Sequence, residues 1–384
     1  MPQFTVPFNR PAVTGLEESY LRQALERGHL SGDGPMTERC HALLTRMTGA
    51  PHALLTTSCT HALELSALLL DLAPGDEVIV PSFTFVSTAN AFVLRGGVPV
   101  FADVRPDTLN IDESRIEALV TERTRAIAVV HYAGVAAEMT PIMSIAGRHG
   151  LAVVEDNAHG LCGRYRGRAL GTFGQLAALS FHETKNFTCG EGGALVINDP
   201  RFVDRAEILR EKGTDRSRFF RGQVDKYGWT DVGSSYLPSE LLAACLAAQL
   251  ESAERIQARR RTIWNRYDAD LQRWRETNEV RGPIVPESCE HPAHLYYLLM
   301  PSLEARTALI AHLRERGILA VFHYLPLHLS SMGRRFGGRP GLCPVTEAVS
   351  DRLVRLPLFF NMTDEQQSLV VDAVTSCPLP RVPA

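Results

Sequence analysis

Short, mainly apolar runs recur along the first half of this chain, at residues 53–57, 77–80, 98–104, 126–130, 151–154, 176–181 and 194–197. Runs of this length without polar alternation are the pattern of strands covered on both faces. Between several of them lie segments with apolar residues at helical spacing, at 61–70, 84–94 and 141–149, the last stopped by Gly150. Strands and helices alternating at this length predict a mainly parallel sheet with helices on both sides. Two helices precede the first strand, one at 15–27 with Gly28 at its end and one at 36–47, joined through the SGDGP loop of residues 31–35.

After residue 200 the pattern changes. Residues 204–233 read as a long, polar, irregular loop that carries Phe219, Phe220, Tyr227 and Trp229. A loop of that length inside a compact protein is usually functional or reaches a partner. Residues 239–275 are nearly continuous helical pattern behind Pro238. There follow a strand at 295–300, a helix at 302–316 opened by Ser302 and ended by Gly317, a strand at 318–323, and a helix at 363–376 whose Thr363 and Gln366 fit a capping box. The expected architecture is α/β in two lobes. Residues 1–250 form a large lobe around a mainly parallel mixed sheet, and residues 251–384 form a small α/β lobe on which the N-terminal segment packs.

Composition narrows the class. With 384 residues the chain has room for two lobes, and 45% apolar with 22% charged residues is ordinary for a globular protein. A net charge of -3 offers no basic footprint for nucleic acid or a membrane surface, and no apolar run is long enough to span a bilayer. The eight cysteines are scattered without a C-x-x-C, which argues against a zinc or iron–sulfur centre and for reduced thiols. The opening MPQFTVPFNRP has no secretory pattern, so a cytoplasmic protein acting on small molecules is expected.

Of the 40 basic residues only three are lysines, and Lys185 stands between the apolar run at 176–181 and the glycine-rich turn at 190–193. An amine at the end of a buried strand is costly to keep charged, so its pKa falls and it becomes a nucleophile for an aldehyde cofactor such as pyridoxal phosphate. Alone, a lysine after a strand is ordinary surface. Ser58, Cys59 and Thr60 form a polar turn between a strand and a helix, an anion site in one reading and a plain helix cap in another. Phe85 lies just past a strand's carboxyl end, where an aromatic face can stack on a planar ring or pack into the core. The run at 151–154 ends in Glu155, Asp156, Asn157, Ala158 and His159. An acid at the tip of a buried strand needs a cationic partner, which a pyridine nitrogen would give Asp156, as would a structural salt bridge. His159, three residues on, is then a candidate to hydrogen-bond the ring's phenolic oxygen; a helix cap is the other reading of this segment. His323, Tyr324 and His328, in the segment FHYLPLH, are candidates for the rim of a cleft.

In order and wording these segments resemble the aspartate-aminotransferase superfamily (PLP fold type I), and within it the DegT/DnrJ family of nucleotide-sugar aminotransferases. TSCTHALE resembles the family's phosphate turn, PSFTFVSTANAF its ring-stacking segment, VVEDNAHG its Asp-x-x-His/Gln pair, and SFHETKNFTCGEGGA its lysine segment. GDEVIVPSFTFVSTANAFVLRGG, VRPDTLNID, FFRGQVDKY, GSSYLPSE and AVFHYLPLH narrow the resemblance to the TDP-4-keto-6-deoxyglucose 4-transaminase subgroup. Its enterobacterial type makes TDP-4-amino-4,6-dideoxygalactose.

The resemblance covers essentially the whole chain and implies pyridoxal 5′-phosphate as cofactor, with no metal. It makes Lys185 the Schiff-base lysine and proton carrier, pairs Asp156 with the pyridine nitrogen and His159 with the phenolic oxygen, and stacks Phe85 on the ring. Ser58, Cys59, Thr60 and Ser180 would hold the phosphate. Cys59 stands where many relatives have Gly, and Ser235, in GSSYL, stands where many supply an Asn to the neighbouring subunit's phosphate. A homodimer with shared sites follows, the 210–236 loop reaching across. The implied amino donor is L-glutamate and the acceptor a TDP-4-keto sugar, with Arg221, Lys226, Tyr227, His323, Tyr324 and His328 as candidate substrate contacts. The product is galacto or gluco at C-4. Two rivals share the scaffold: a PLP-dependent sugar dehydratase, which typically has His in place of the lysine, and a non-catalytic sensor.

Overall fold

The computed structural model describes residues 4–380. Its twelve strands are β1 (His52–Thr56), β2 (Glu77–Pro81), β3 (Val98–Ala102), β4 (Thr124–Val130), β5 (Ala152–Asp156), β6 (Arg164–Tyr165), β7 (Arg168–Ala169), β8 (Leu176–Ser180), β9 (Gly193–Ile197), β10 (Cys289–Glu290), β11 (Tyr296–Leu299) and β12 (Leu353–Leu356). Seven form one sheet in the order β1-β9-β8-β5-β4-β2-β3. Strands β3, β2, β4, β5 and β8 pair in parallel, while β9 runs antiparallel to both β8 and β1. Only β9 is therefore reversed, and the carboxyl ends of β1, β2, β4, β5 and β8 share one edge with the start of β9.

The runs read as strands do lie between helices. Val78, Val80, Ala126, Ala128 and Val154 pack on the side of helices Cys59–Leu69 and Val86–Val93. Ile79, Ile127, Val129 and Val153 pack on the other side against helix Met139–His149. Burial of both faces explains why these strands carry no polar alternation. Helix ends follow their predicted signals: Gly28 and Gly150 adopt left-handed conformations at φ 71° and 64°, and Thr363 with Gln366 completes the capping box.

Three expectations change. The 204–233 stretch is not wholly irregular: helix Val203–Arg210 buries Ala206 and Leu209, and Arg216–Phe220 adds a short turn. Its four apolar residues, Val203, Ala206, Ile208 and Leu209, are mixed with four charged ones and left too weak a period to read. The 239–275 helix is broken at Ser252 into Glu240–Glu251 and Ala253–Thr277, the first buried nearly all round and the second along one stripe. Residues 318–323 form no strand. They meet two different partners at single residues, Ile318 with Val6 and Val321 with Arg355, whereas a strand needs one partner over several residues. The two-stranded sheet that does form, β11 with β12, was legible only in its first half.

A separate apolar cluster gathers Ile263, Tyr267, Tyr296, Leu298, Leu309, Leu356 and Val370, and Val6 from the opposite end of the chain joins it.

Candidate active site

The shared edge of the sheet opens on a cavity of about 1000 Å3. At the end of β1, Ser58 is extended and its Oγ accepts the His61 N–H at 3.1 Å, so it caps helix Cys59–Leu69. The N–H groups of Cys59 and Thr60, the first two residues of that helix, have no partner among the described residues, and both residues line the cavity. Unpaired N–H groups at a helix start, with the helix dipole behind them, are an anion site. Gly193 at the start of β9 lies against this turn, where a Cβ would collide with the backbone of Ser58 and Cys59. Ser180, opposite Gly193 in the β8–β9 ladder, also faces the cavity, and Thr60 Oγ1 is 2.8 Å from Ser87 Oγ.

Strand alternation separates the two acids at the tip of β5. Glu155 turns away from the cavity and is fully buried, accepting backbone N–H groups from Gly171 (2.8 Å), Phe173 (2.7 Å) and Gly174 (2.7 Å), with His131 Nε2 at 2.9 Å. It organises the loop before β8. Asp156 points into the cavity, where its Oδ2 accepts from Thr88 Oγ1 at 2.7 Å and its Oδ1 from the Ala158 N–H at 3.2 Å. Neither partner is a cation, so the negative charge of Asp156 is available to a ligand.

Lys185 follows β8 through a turn closed by its own N–H on the His182 carbonyl at 2.9 Å, and its side chain lines the cavity with Asp156. Burial pushes the amine below the ordinary lysine value of 10.5, with nearby Arg355 adding to the shift and the Asp156 carboxylate opposing it. Because the neutral amine is the nucleophile, capture of pyridoxal by the cofactor-free protein should rise with pH through a midpoint below 10.5. Imine absorbance followed across a pH series measures it. A midpoint at or above the free-lysine value would contradict the enclosure of this amine.

His159 is buried, its Nδ1 lacks a partner among the described residues, and burial drives its pKa well below the usual histidine value. It therefore stands as a neutral ring with an unused polar atom. Phe85, exposed at the start of helix Val86–Val93, lines the cavity mouth with Tyr324 at 6.4 Å between centroids. An orphaned buried histidine nitrogen, a carboxylate without an ion-pair partner, an amine and an anion-ready helix start, all at one cavity, are chemically suited to pyridoxal phosphate.

His323 and Tyr324 line the same cavity. The Tyr132 hydroxyl lies 3.0 Å from His323 Nδ1, and the His323 and Tyr324 ring centroids are 3.4 Å apart with the rings tilted by 33°. His328 does not line it. Ser82 Oγ at 2.6 Å and Glu347 Oε1 at 3.0 Å occupy both nitrogens of its fully buried ring, so it ties the loop after β2 to helix Pro344–Arg352. Arg221, Lys226, Tyr227 and Ser235 are exposed and also lie outside this cavity, with Arg221 paired to Glu207 at 2.7 Å.

Several residues at the cavity were not anticipated. His294 stacks on His159 at 4.2 Å, and its Nδ1 is 2.9 Å from Asn186 Oδ1. The Asn186 amide donates to Pro292 O (2.8 Å) and Gln257 Oε1 (3.0 Å), which fixes its orientation. Arg355 also lines the cavity, and Thr88 stands behind it as the hydroxyl that donates to Asp156. A register count on helix Val86–Val93 could have flagged Thr88, one turn past Phe85; nothing local distinguishes His294 or Arg355.

Comparison with known proteins places this geometry. Residues 12–375 match the profile of the DegT/DnrJ/EryC1/StrS aminotransferase family. The spore coat polysaccharide biosynthesis protein SpsC of Bacillus subtilis is 33% identical over 377 residues, covering 96% of either chain. DesV of S. venezuelae, solved in complex with a ketimine intermediate, superposes with a TM-score of 0.86 at 30% identity over 98% of both chains. Spr1654 of Streptococcus pneumoniae in its PLP form gives a TM-score of 0.88 at 25% identity over 98% of both, and it has also been solved in a PMP form.

Proposed function

This chain belongs to the DegT/DnrJ/EryC1/StrS aminotransferase family, PLP-dependent sugar aminotransferases, and from that premise we propose that it moves the amino group of L-glutamate to C-4 of TDP-4-keto-6-deoxy-D-glucose. The products are then 2-oxoglutarate and a TDP-4-amino-4,6-dideoxyhexose. One observation carries the chemistry: the lowered amine of Lys185 and the cation-free carboxylate of Asp156 share one cavity. For the particular sugar, support comes from the wording of the segments around Phe85, Lys185, Tyr227, Ser235 and Tyr324. That SpsC is named for polysaccharide biosynthesis agrees with a sugar acceptor. Lys185 stands where sugar dehydratases typically have His, and an intact Lys185–Asp156 pair disfavours a mere sensor.

Pyridoxal phosphate, when bound, supplies an aldehyde for amine exchange and an electron-poor ring that spreads the charge left by proton removal. The rest falls to the chain. The N–H groups of Cys59 and Thr60, with Ser180, would hold the phosphate, and Asp156 would keep the ring nitrogen protonated. His159, neutral, would hydrogen-bond the ring oxygen and Phe85 would cover one ring face. Lys185 Nζ, freed by the incoming amine, would take the α-proton of glutamate and return it to the carbon that carried the aldehyde, on the other side of the transferred nitrogen. The return passage with the keto sugar uses the same groups in reverse, which predicts ping-pong kinetics.

NMR of the product formed from TDP-4-keto-6-deoxyglucose and glutamate tests this reading and fixes the C-4 configuration. An unaltered keto sugar, with glutamate consumed by another acceptor, would sink the choice of substrate.

In the same reading residues 1–250 are the cofactor lobe and 251–384 the small lobe, with the N-terminal segment docked on the small lobe, as the packing of Val6 among small-lobe residues supports. The active form is a homodimer. Ser235 lies outside its own chain's cavity, while Phe220, Tyr227 and Trp229 are exposed on the same loop, apolar side chains that a second copy would cover. Sedimentation should find a dimer, and Ser235→Ala should weaken cofactor retention. An active monomer would end this part of the proposal.

A further inference from the structure

His294 enters the cavity from the loop between β10 and β11, and its backbone is held from behind. Arg260, buried in helix Ala253–Thr277, donates Nε to Ala293 O at 3.1 Å and Nη2 to His294 O. His159 covers one face of the ring, 4.2 Å away between centroids and inclined by only 25°. Backbone and ring plane are thus both fixed.

Asn186, the residue after Lys185, decides which nitrogen of that ring carries the proton. Its Nδ2 donates to Pro292 O at 2.8 Å and to Gln257 Oε1 at 3.0 Å. Pro292 O is a backbone carbonyl that can only accept, so turning the amide over would set two oxygens against each other. Asn186 Oδ1 therefore faces the ring as an acceptor, and His294 Nδ1, 2.9 Å from it, must hold a hydrogen. Gln257 Nε2 also donates to Pro292 O at 3.2 Å and ties the network to helix Ala253–Thr277.

A neutral imidazole has a single N–H, so Nε2 is left with a lone pair. The ring is neutral because burial pushes its pKa well below the usual histidine value, with His159 and the cations Lys185, Arg260 and Arg355 pushing the same way. The Nε2 has no partner among the described residues, yet it is not sealed inside the protein, so it opens on the cavity that the ring lines. A cavity acceptor fixed this firmly is arranged for a donor on a ligand.

We infer that Asn186 is a positioning residue that holds His294 as an acceptor at Nε2, and that this acceptor takes the sugar hydroxyl next to the keto carbon. The inference rests on the sugar-aminotransferase reading and adds a residue that selects the amino acceptor. A lone pair repels the carboxylates of an amino acid, whereas a hydroxyl donates to it. The charge on Lys185 reaches this ring, so the hydroxyl concerned is one close to the reacting carbon. In a 4-keto-6-deoxy sugar that carbon lies between C-3, which bears a hydroxyl, and C-5, which bears a methyl. Only C-3 offers a donor.

The test uses the holoenzyme in its pyridoxamine form and the variants His294→Asn and His294→Gln. Asn keeps a donor for Asn186 Oδ1 and loses the acceptor at Nε2; Gln brings its amide oxygen to the Nε2 position and loses the contact to Asn186. Rapid mixing follows the cofactor band with TDP-4-keto-6-deoxyglucose and, from the aldehyde form, with L-glutamate. His294→Asn should slow the sugar half-reaction by roughly 5- to 150-fold, the effect of leaving a polar group unpaired in an enclosed site, and leave the glutamate half-reaction unchanged. His294→Gln should recover part of the sugar rate. With the 3-deoxy analogue of the keto sugar, wild type and His294→Asn should react equally fast. Equal losses in both half-reactions, or the same loss with the 3-deoxy sugar, would overturn the inference. Nitrogen-15 NMR of the histidine-labelled holoenzyme reads the tautomer itself. The wild-type His294 Nε2 should resonate as a bare nitrogen, and a protonated one would overturn the inference even if a variant fails to fold. In Asn186→Asp the new carboxylate favours the imidazolium, so Nε2 should take up a proton and the sugar half-reaction should slow with it; an unchanged Nε2 signal would remove Asn186 from the account. A wild-type pyridoxamine form that ignores this keto sugar would instead fail the choice of substrate, and the Nε2 signal would still decide the acceptor.

Discussion

Lys185→Ala is expected to lose at least about 10⁴-fold in turnover while remaining folded, because in the proposed reaction the deleted amine is both nucleophile and proton carrier. No other described lysine can replace it: Lys212 and Lys226 lie outside the cavity. Borohydride reduction in the presence of pyridoxal phosphate should mark residue 185 in the wild type and leave the variant unmarked. The truncation leaves room for a small alkylamine, so added methylamine should restore part of the rate. Stability gives an independent check. The folded pKa of Lys185 is lowered, so between it and 10.5 the unfolded chain holds a proton that the folded protein does not. Wild-type stability therefore rises with pH through that interval, and Lys185→Ala lacks the rise. Denaturant midpoints at several pH values measure it. Near neutrality the variant should be no less stable than the wild type; turnover surviving the substitution would remove the basis of the proposed chemistry.

Asp156→Asn should lower the single-turnover rate with glutamate by about 10²- to 10³-fold with little effect on folding, as for loss of one preorganised electrostatic group. The substitution is nearly isosteric, and the new amide oxygen can still accept from Thr88 Oγ1, itself held by Thr84 Oγ1 at 2.8 Å. What disappears is the charge that would keep the ring nitrogen protonated. Rapid-mixing absorbance gives the rate and thermal unfolding the fold. Equal rates would leave Asp156 a structural acid. The neighbouring Glu155 is the control. Glu155→Gln disturbs a carboxylate that accepts three backbone N–H groups, so it should destabilise the fold far more than it alters the chemistry of the molecules that do fold.

Much of this site could be read from the chain because its parts are local. Ser58 caps a helix three residues before the N–H it accepts, Asp156 ends an apolar run, and Lys185 follows the next strand of the same sheet. In an open α/β sheet the carboxyl ends of parallel strands share one edge, so correct strands and correct order put these residues together without further information. Period two in β5 even separates Asp156 from Glu155, although only the packed loop at 171–174 shows which of the two faces the cavity.

The sequence by itself determined the strands, most of the helices, the caps and the positions of Lys185, Asp156 and the Ser58–Thr60 turn at strand ends, since each is set by spacing over a few residues. Tertiary structure alone decided the far wall. His294 and Arg355 come from another apolar cluster's strands and loops, and whether their side chains meet Lys185 depends on how that cluster docks, which no short-range pattern records. It also retired His328, whose sequence neighbours are cavity residues but whose ring nitrogens are taken by Ser82 and Glu347. Polar side chains near a cleft look alike in one dimension. Only the packed chain shows which have had their hydrogen bonds met and which, like Arg355, are still short of a partner.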